Sequence, residues 1–337
     1  MNPTDVSNAR EHERLAWARQ ALDDVDVQLV RASVDAGFRS YWRTVGHVPT
    51  TIVMDSPPDK EDVRPWLRLH AMLDAGGVRV PRILSRDVDQ GFLLLEDLGA
   101  DTLLHVLDAY NADALFDGAL LQLLKIQAIA PVGLPAYDDA LLSRELRLFD
   151  EWFLARHLGM TLDAGDKHVL EHAYQLLIDA ALAQPRVLVH RDFMPRNLMP
   201  AIDGPAVLDF QDAVVGPIAY DVISLFKDAF ISWPEARVER WIERYHARAT
   251  AAGLPVPTLQ DFRRDADWIG LQRHLKVIGI FARLNHRDGK PKYLADVPRF
   301  FAYLDEVLPR YAEFAPLRSF IDDTVKPAMA QMTDITT

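Results

Sequence analysis

Residues 187–199, Val-Leu-Val-His-Arg-Asp-Phe-Met-Pro-Arg-Asn-Leu-Met, leave little freedom of architecture. An apolar run that reads as a buried strand leads straight into His190-Arg191-Asp192, and four residues intervene before Asn197. Twelve residues after Asn197, a second β-like run, Ala206-Val207-Leu208, delivers Asp209-Phe210-Gln211. A short loop between two strands is expected to bring Asp192, Asn197 and Asp209 to one edge of a sheet. Four fixed positions at ~5% each, over ~330 starting points, occur by chance in roughly 0.2% of chains of this length. The spacing is therefore read as chemistry and not as a capped surface loop.

Asn197 offers a neutral carbonyl oxygen and Asp209 a carboxylate, the hard oxygen donors that suit Mg²⁺. Composition limits the partners. Asp and Glu number 49 against 37 Lys and Arg, a net charge of −12, which argues against sequence-independent nucleic-acid binding. The absence of cysteine excludes disulfides, iron–sulfur clusters and thiol nucleophiles. No apolar run approaches the roughly 20 residues of a membrane span. The polar, mixed-charge N-terminus is unlike a secretion signal, so a cytoplasmic location is expected. At 337 residues, 49% apolar and 26% charged, the chain suits one large domain or two packed lobes.

Periodicity divides the chain. A weak helical period covers 11–22; strands are expected over 27–44, around a turn at Asp35-Ala36-Gly37, and over 50–54, ending at Pro57-Pro58. A helix over 61–75 and strands at 80–84 and 91–95 follow, making five strands and one main helix. After the polar break Glu96-Asp97-Leu98-Gly99 the pattern turns helical, over 111–129, 140–158 and 166–183, resuming at Ala219, Pro234, Gln260 and Pro298. Residues 322–337 read as a loosely held tail.

His190-Arg191-Asp192 with Asn197, then Asp209-Phe210, resembles the H-R-D-x-x-x-x-N and D-F-G signatures of the protein-kinase fold. Over most of residues 25–310 the chain is similar to the aminoglycoside phosphotransferase and choline kinase family, the small-molecule branch of that fold. In this branch an Asp, Gly, Pro, Asp stretch follows the motif, read here as Asp212, Gly216-Pro217 and Asp221. The resemblance implies an α+β, bilobal protein-kinase-like fold. Its parts would be a small five-stranded N-lobe at 1–95, a hinge at 96–100, a larger mostly helical C-lobe at 101–325 and a tail at 326–337. It implies ATP and Mg²⁺, with Asp192 as catalytic carboxylate, Asn197 and Asp209 as metal ligands, and the adenine hinge near Glu96 and Leu98. Asp221 is expected to start a helix, as a cap or as a brace under the catalytic loop. No A-P-E follows, and Gln211 replaces the glycine of D-F-G, so a protein acceptor is not expected. Nor is an obligate protein partner, a nucleic acid or a membrane.

The family holds the nucleotide phosphates with a lysine on the third strand, and here that strand has none. Before Lys125 the chain has only Lys60, past Pro57-Pro58. Arg43 is the first candidate for the missing cation, then Arg39 and Lys60. For the acceptor, Glu145, Phe149 and Trp152 fall at i, i+4 and i+7 of a helix and would form a sugar platform, with an amphipathic core helix as the alternative. Arg273, His274, Lys276, Arg283, Arg287, Lys290 and Lys292 form a basic stretch that would suit an anionic group, Arg273 and Lys276 foremost, unless it is a solvated helix face. Arg39 to Arg43, Ile52 to Pro58, Leu94 to Gly99 and Gln272 to Lys276 resemble one subgroup. Its members phosphorylate N-acetylmuramate and N-acetylglucosamine at the anomeric (C1) hydroxyl in cell-wall recycling, and lack the same lysine. Other small hydroxyl acceptors (an aminoglycoside, choline, a homoserine-like alcohol), a silent nucleotide-binding relative, or a metal-dependent hydrolase using His190, Asp192 and Asp209 are the competing readings.

Overall fold

The computed structural model describes the backbone at residues 3–33 and 38–336 and the side chains at 9–33 and 38–332; the expected turn at 35–37 lies outside the described residues. The chain packs as two compact units, 1–125 with 195–211, and 126–194 with 212–337. These divisions fall elsewhere in the chain than the hinge expected at 96–100.

In the first unit, helix α1 (Pro3–Leu22) is followed by β1 (Gln28–Ser33), β2 (Ser40–Val45) and β3 (Thr51–Asp55), then α2 (Arg64–Ala75), β4 (Ile83–Asp87) and β5 (Phe92–Glu96). The five strands form one antiparallel sheet in the order β1-β2-β3-β5-β4. Strand β4 starts three residues later than the pattern indicates. Pro81 cannot donate to a ladder, and pairing begins only at Ile83. Alternation places Val53, Phe92 and Leu94 against Trp17 and Ala18 of α1, and the Trp17 and Phe92 rings stack at 5.4 Å. Helix α1 extends well upstream of the 11–22 period. Its Arg10 and Arg14 hold buried Asp55 at 2.7 and 2.9 Å.

The same unit contains helix α3 (Leu103–Val106), the start of α4 (Ala112–Ala128) and a two-residue ladder between β7 (Leu198–Met199) and β8 (Ala206–Val207). The expectation of one sheet edge beneath Asp192, Asn197 and Asp209 is corrected here. Residues 187–189 pair instead with a strand downstream of Asp209, and residues 206–207 pair with the strand that follows Asn197.

The second unit contains α5 (Asp139–Leu148), a π-helical segment (Phe149–His157), α6 (Ala164–Ala183), β6 (Arg186–Val189), β9 (Val214–Pro217), α7 (Tyr220–Phe226), α8 (Glu235–Ala251), the 30-residue α9 (Leu259–Asp288), α10 (Val297–Val307), α11 (Ala315–Phe320) and α12 (Lys326–Thr336). Helix α9 is its core, buried almost continuously from Ala266 to Ala282. Gly279 lets α5 approach: a Cβ there would lie 2.2 Å from the Leu148 carbonyl carbon. The expected loose tail is corrected as well. Residues 326–336 are helical, and Lys326 Nζ meets Asp305 and Asp322 at 2.7 Å each. Among the described residues no helix is long and apolar enough to cross a membrane.

Candidate active site

Strand β6 is buried from Val187 to Val189, and its pairing with β9 fixes where the chain leaves the sheet. The next residue, His190, is 1% exposed. Asp221, in the first turn of α7, accepts the His190 amide at 2.7 Å and the Arg191 amide at 3.0 Å. It therefore braces the loop; the helix cap is Ala219 and uses no side chain. Burial raises the Asp221 carboxyl to about 6, and the Asp192 charge adds to that, against His190 and the two amides. Arg191 adopts φ 74°, a strained backbone of the kind that clusters at functional sites. Asp192 follows, its amide 3.3 Å from His190 Nδ1.

Arg191 explains Glu145. The Glu145 carboxylate is buried, and Arg191 Nη2, Lys276 Nζ, the Tyr137 hydroxyl and Gln272 Nε2 all converge on it. Arg191 lies at 2.5 Å and Lys276 at 2.9 Å. Burial alone would raise this carboxyl, yet Lys276, Arg191 and Tyr137 outweigh it and hold it at about 2. Lys276 also reaches the Tyr220 hydroxyl at 2.9 Å. Burial disfavours its charge, but Tyr220 and Glu145, helped by Asp192, keep it above its usual value.

The sugar platform is thereby corrected. Glu145 is spent on internal cations, Phe149 is fully buried against Phe153 at 5.7 Å, and the π-helical segment after Leu148 breaks the i, i+7 register. The basic stretch is corrected too. Arg273 is 2% exposed and donates to the Lys227 carbonyl at 3.4 Å, and His274 is wholly buried. Arg273, His274 and Lys276 are core polarity on α9, whereas Arg287 and Lys292 are exposed.

In the first unit, Asn197 and Asp209 flank the β7–β8 ladder, Leu208 N bonding the Asn197 carbonyl at 2.9 Å. Asn197 Nδ2 stands 3.5 Å from Asp209 Oδ2, and Gln211 Nε2 donates to Asp209 Oδ1 at 2.7 Å. Asp209 has φ 61°, and Phe210 beside it is fixed on the Trp66 ring of α2 at 5.1 Å. This amide and carboxylate fit a magnesium ion that completes its shell with water and phosphate oxygens. No group of three or more His, Cys, Asp or Glu able to hold a metal occurs among the described residues.

At the expected hinge, Glu96 turns its carboxylate to Arg79 at 2.7 Å and the Arg82 amide at 3.2 Å; Leu98 is half-buried. Arg43 is committed to Asp97, at 2.7 and 3.0 Å, and to the Gly99 carbonyl at 2.7 Å. Burial pulls the Asp97 carboxyl upward, but Arg43 and the Gly99 amide outweigh it. The Arg43–Asp97 pair could not be read from the sequence, because its partners lie 54 residues apart.

Comparison with known proteins follows the same lines. The model of the "Phosphotransferase enzyme family" matches residues 28–268. An N-acetylmuramate/N-acetylglucosamine kinase of Pseudomonas putida is 53% identical over 304 residues, 90% of each chain. Its counterpart in Pseudomonas aeruginosa is 54% identical over 292 residues, 86% of each. Among solved structures, an ADP-bound aminoglycoside phosphotransferase superposes with a TM-score of 0.58 at 14% identity, covering 86% of this chain and 97% of its own.

Proposed function

The chain belongs to the phosphotransferase enzyme family, and from that premise we propose that it is an ATP-dependent kinase of N-acetylmuramate and N-acetylglucosamine that acts at the anomeric hydroxyl. The observation that carries this reading is the 53–54% identity to kinases of that name over nearly the whole of both chains.

Transfer to a sugar hydroxyl needs an oriented acceptor oxygen, a proton sink and neutralised phosphate charge. Asp192 supplies the first two: its carboxylate accepts the hydroxyl hydrogen bond and takes the proton as the oxygen attacks the γ-phosphorus. The new O–P bond forms as the bond to ADP breaks. Asp221 holds the loop backbone that aims Asp192, and Arg191, anchored on Glu145, stiffens it from the side. Asn197 and Asp209 would hold magnesium, whose role when bound is to offset charge on the phosphate oxygens. The half-buried segment at Glu96 and Leu98 would meet the adenine through its backbone. Lys276, near Asp192 and paired with Glu145, supports the Asp192 loop from behind.

Phosphorus NMR of the product from N-acetylmuramate and ATP tests this. A glycosyl phosphate signal is expected, with no transfer to glycosides blocked at C1. A phosphate ester at another hydroxyl, or turnover of the blocked sugar, would overturn the anomeric assignment.

A further inference from the structure

The first unit surrounds its sheet with cations, and most of them are committed. Arg10 and Arg14 clamp Asp55, Arg43 is held by Asp97 and the Gly99 carbonyl, and Arg79 and Arg82 meet Glu96. Lys60 is more than half exposed beside Asp59. Strand β3 itself carries no cation, only Thr51, Ile52, Val53, Met54 and Asp55.

Arg39 is different. It directly precedes β2, two residues before Tyr41, which pairs across to buried Met54. Its side chain is 13% exposed, and one ion pair, Nε to Glu61 at 3.3 Å, anchors it. Its Nη1 is buried and has no hydrogen-bond partner among the described residues. An unsatisfied guanidinium nitrogen in a sheltered place costs more than an ordinary unmade hydrogen bond, so Nη1 has a donor to offer a bound ligand. Glu61 is itself fixed: its amide bonds the Pro57 carbonyl at 3.0 Å and its carbonyl accepts from Ser56 Oγ at 3.2 Å. These bonds fix the backbone from which the Glu61 carboxylate reaches the guanidinium.

We propose that Arg39, seated on Glu61, is the cation that binds the triphosphate of the nucleotide in this chain, and that Arg43 is a positioning residue for the segment after β5. The inference rests on the reading of the chain as an ATP-dependent kinase. A guanidinium offers phosphate oxygens two parallel donors, and shelter from water strengthens such charge-assisted bonds.

The test is a nucleotide ladder measured by calorimetry without acceptor: adenosine, AMP, ADP and ATP, each with magnesium. Arg39→Met is expected to weaken ATP about tenfold or more, ADP less, and adenosine not at all. Arg39→Lys is expected to recover part of the loss, and Glu61→Gln to reproduce it in weaker form. Arg43→Met is expected to change all four ligands by a similar factor. Equal weakening of adenosine and ATP in Arg39→Met, or a phosphate-dependent loss in Arg43→Met instead, would overturn the assignment, as would a wild-type chain indifferent to phosphate number. A ladder that behaves as expected while the wild type transfers no phosphate to any amino sugar would sustain Arg39 and remove only the kinase reading.

Discussion

Two buried carboxylates of the second unit differ in duty because their surroundings differ: internal cations hold Glu145 low, while burial raises Asp221. Asp221, buried with two loop amides as its donors, carries a carboxyl raised to about 6. Above that pH it is ionised and holds both amides; below it the proton occupies one acceptor site and the loop loosens. Turnover is therefore expected to fall on the acid side with a midpoint at about 6, and a pH–rate profile checks it. Asp221→Asn should lower kcat about tenfold or more and abolish that limb, because its amide faces one of the N–H groups with another donor. An unchanged acid limb in the variant would remove Asp221 from the account. Asp192 and Asp209 separate in the opposite way. Asp192→Asn should lower kcat by orders of magnitude with ATP affinity retained, whereas Asp209→Ala should weaken binding of magnesium-nucleotide. Single-turnover rates and nucleotide titration distinguish the two; near-normal turnover of Asp192→Asn would sink the mechanism.

The elements explain why single residues sit where they do. Helix α9 crosses α5 so closely that Gly279 touches the Leu148 backbone, and this contact lies beside Lys276, one turn earlier. Gly279→Ala is expected to lower the melting temperature by several degrees, through overpacking costing about 1–3 kcal/mol, and to shift Lys276 relative to Glu145. Thermal unfolding alongside kcat checks both. The π-helical segment at Phe149–His157 starts at the same crossing; Glu145 and Phe149 are both buried, whereas Trp152, inside the wider helix, is half-buried. Here the sequence was misleading for a physical reason: an i, i+4, i+7 pattern assumes 3.6 residues per turn, and the pattern fails when the helix widens.

For the molecule as a whole, the motif stretch supplies both compact units. Asp192 lies in the second, and Asn197 and Asp209 in the first. Order and identity of these groups were legible in one dimension, because strand, loop and carboxylate follow each other in the chain. So were the five strands, since alternation of side chains is local, and so was the missing strand lysine. The two short ladders were not. Pairing over two or four residues leaves no period, and which strand finds which is set by packing. The partners of Arg43, Glu145 and Arg273 escaped for a related reason. A charge in a sequence shows only that an ion exists, while burial and the nearest opposite charge decide whether it faces solvent, substrate or another side chain. The residues and their spacing thus determined the chemistry available to this protein. Only the tertiary structure decided which of its described cations are already spent on internal carboxylates and which keep a donor unused, because desolvation and long-range pairing exist only once the chain has folded.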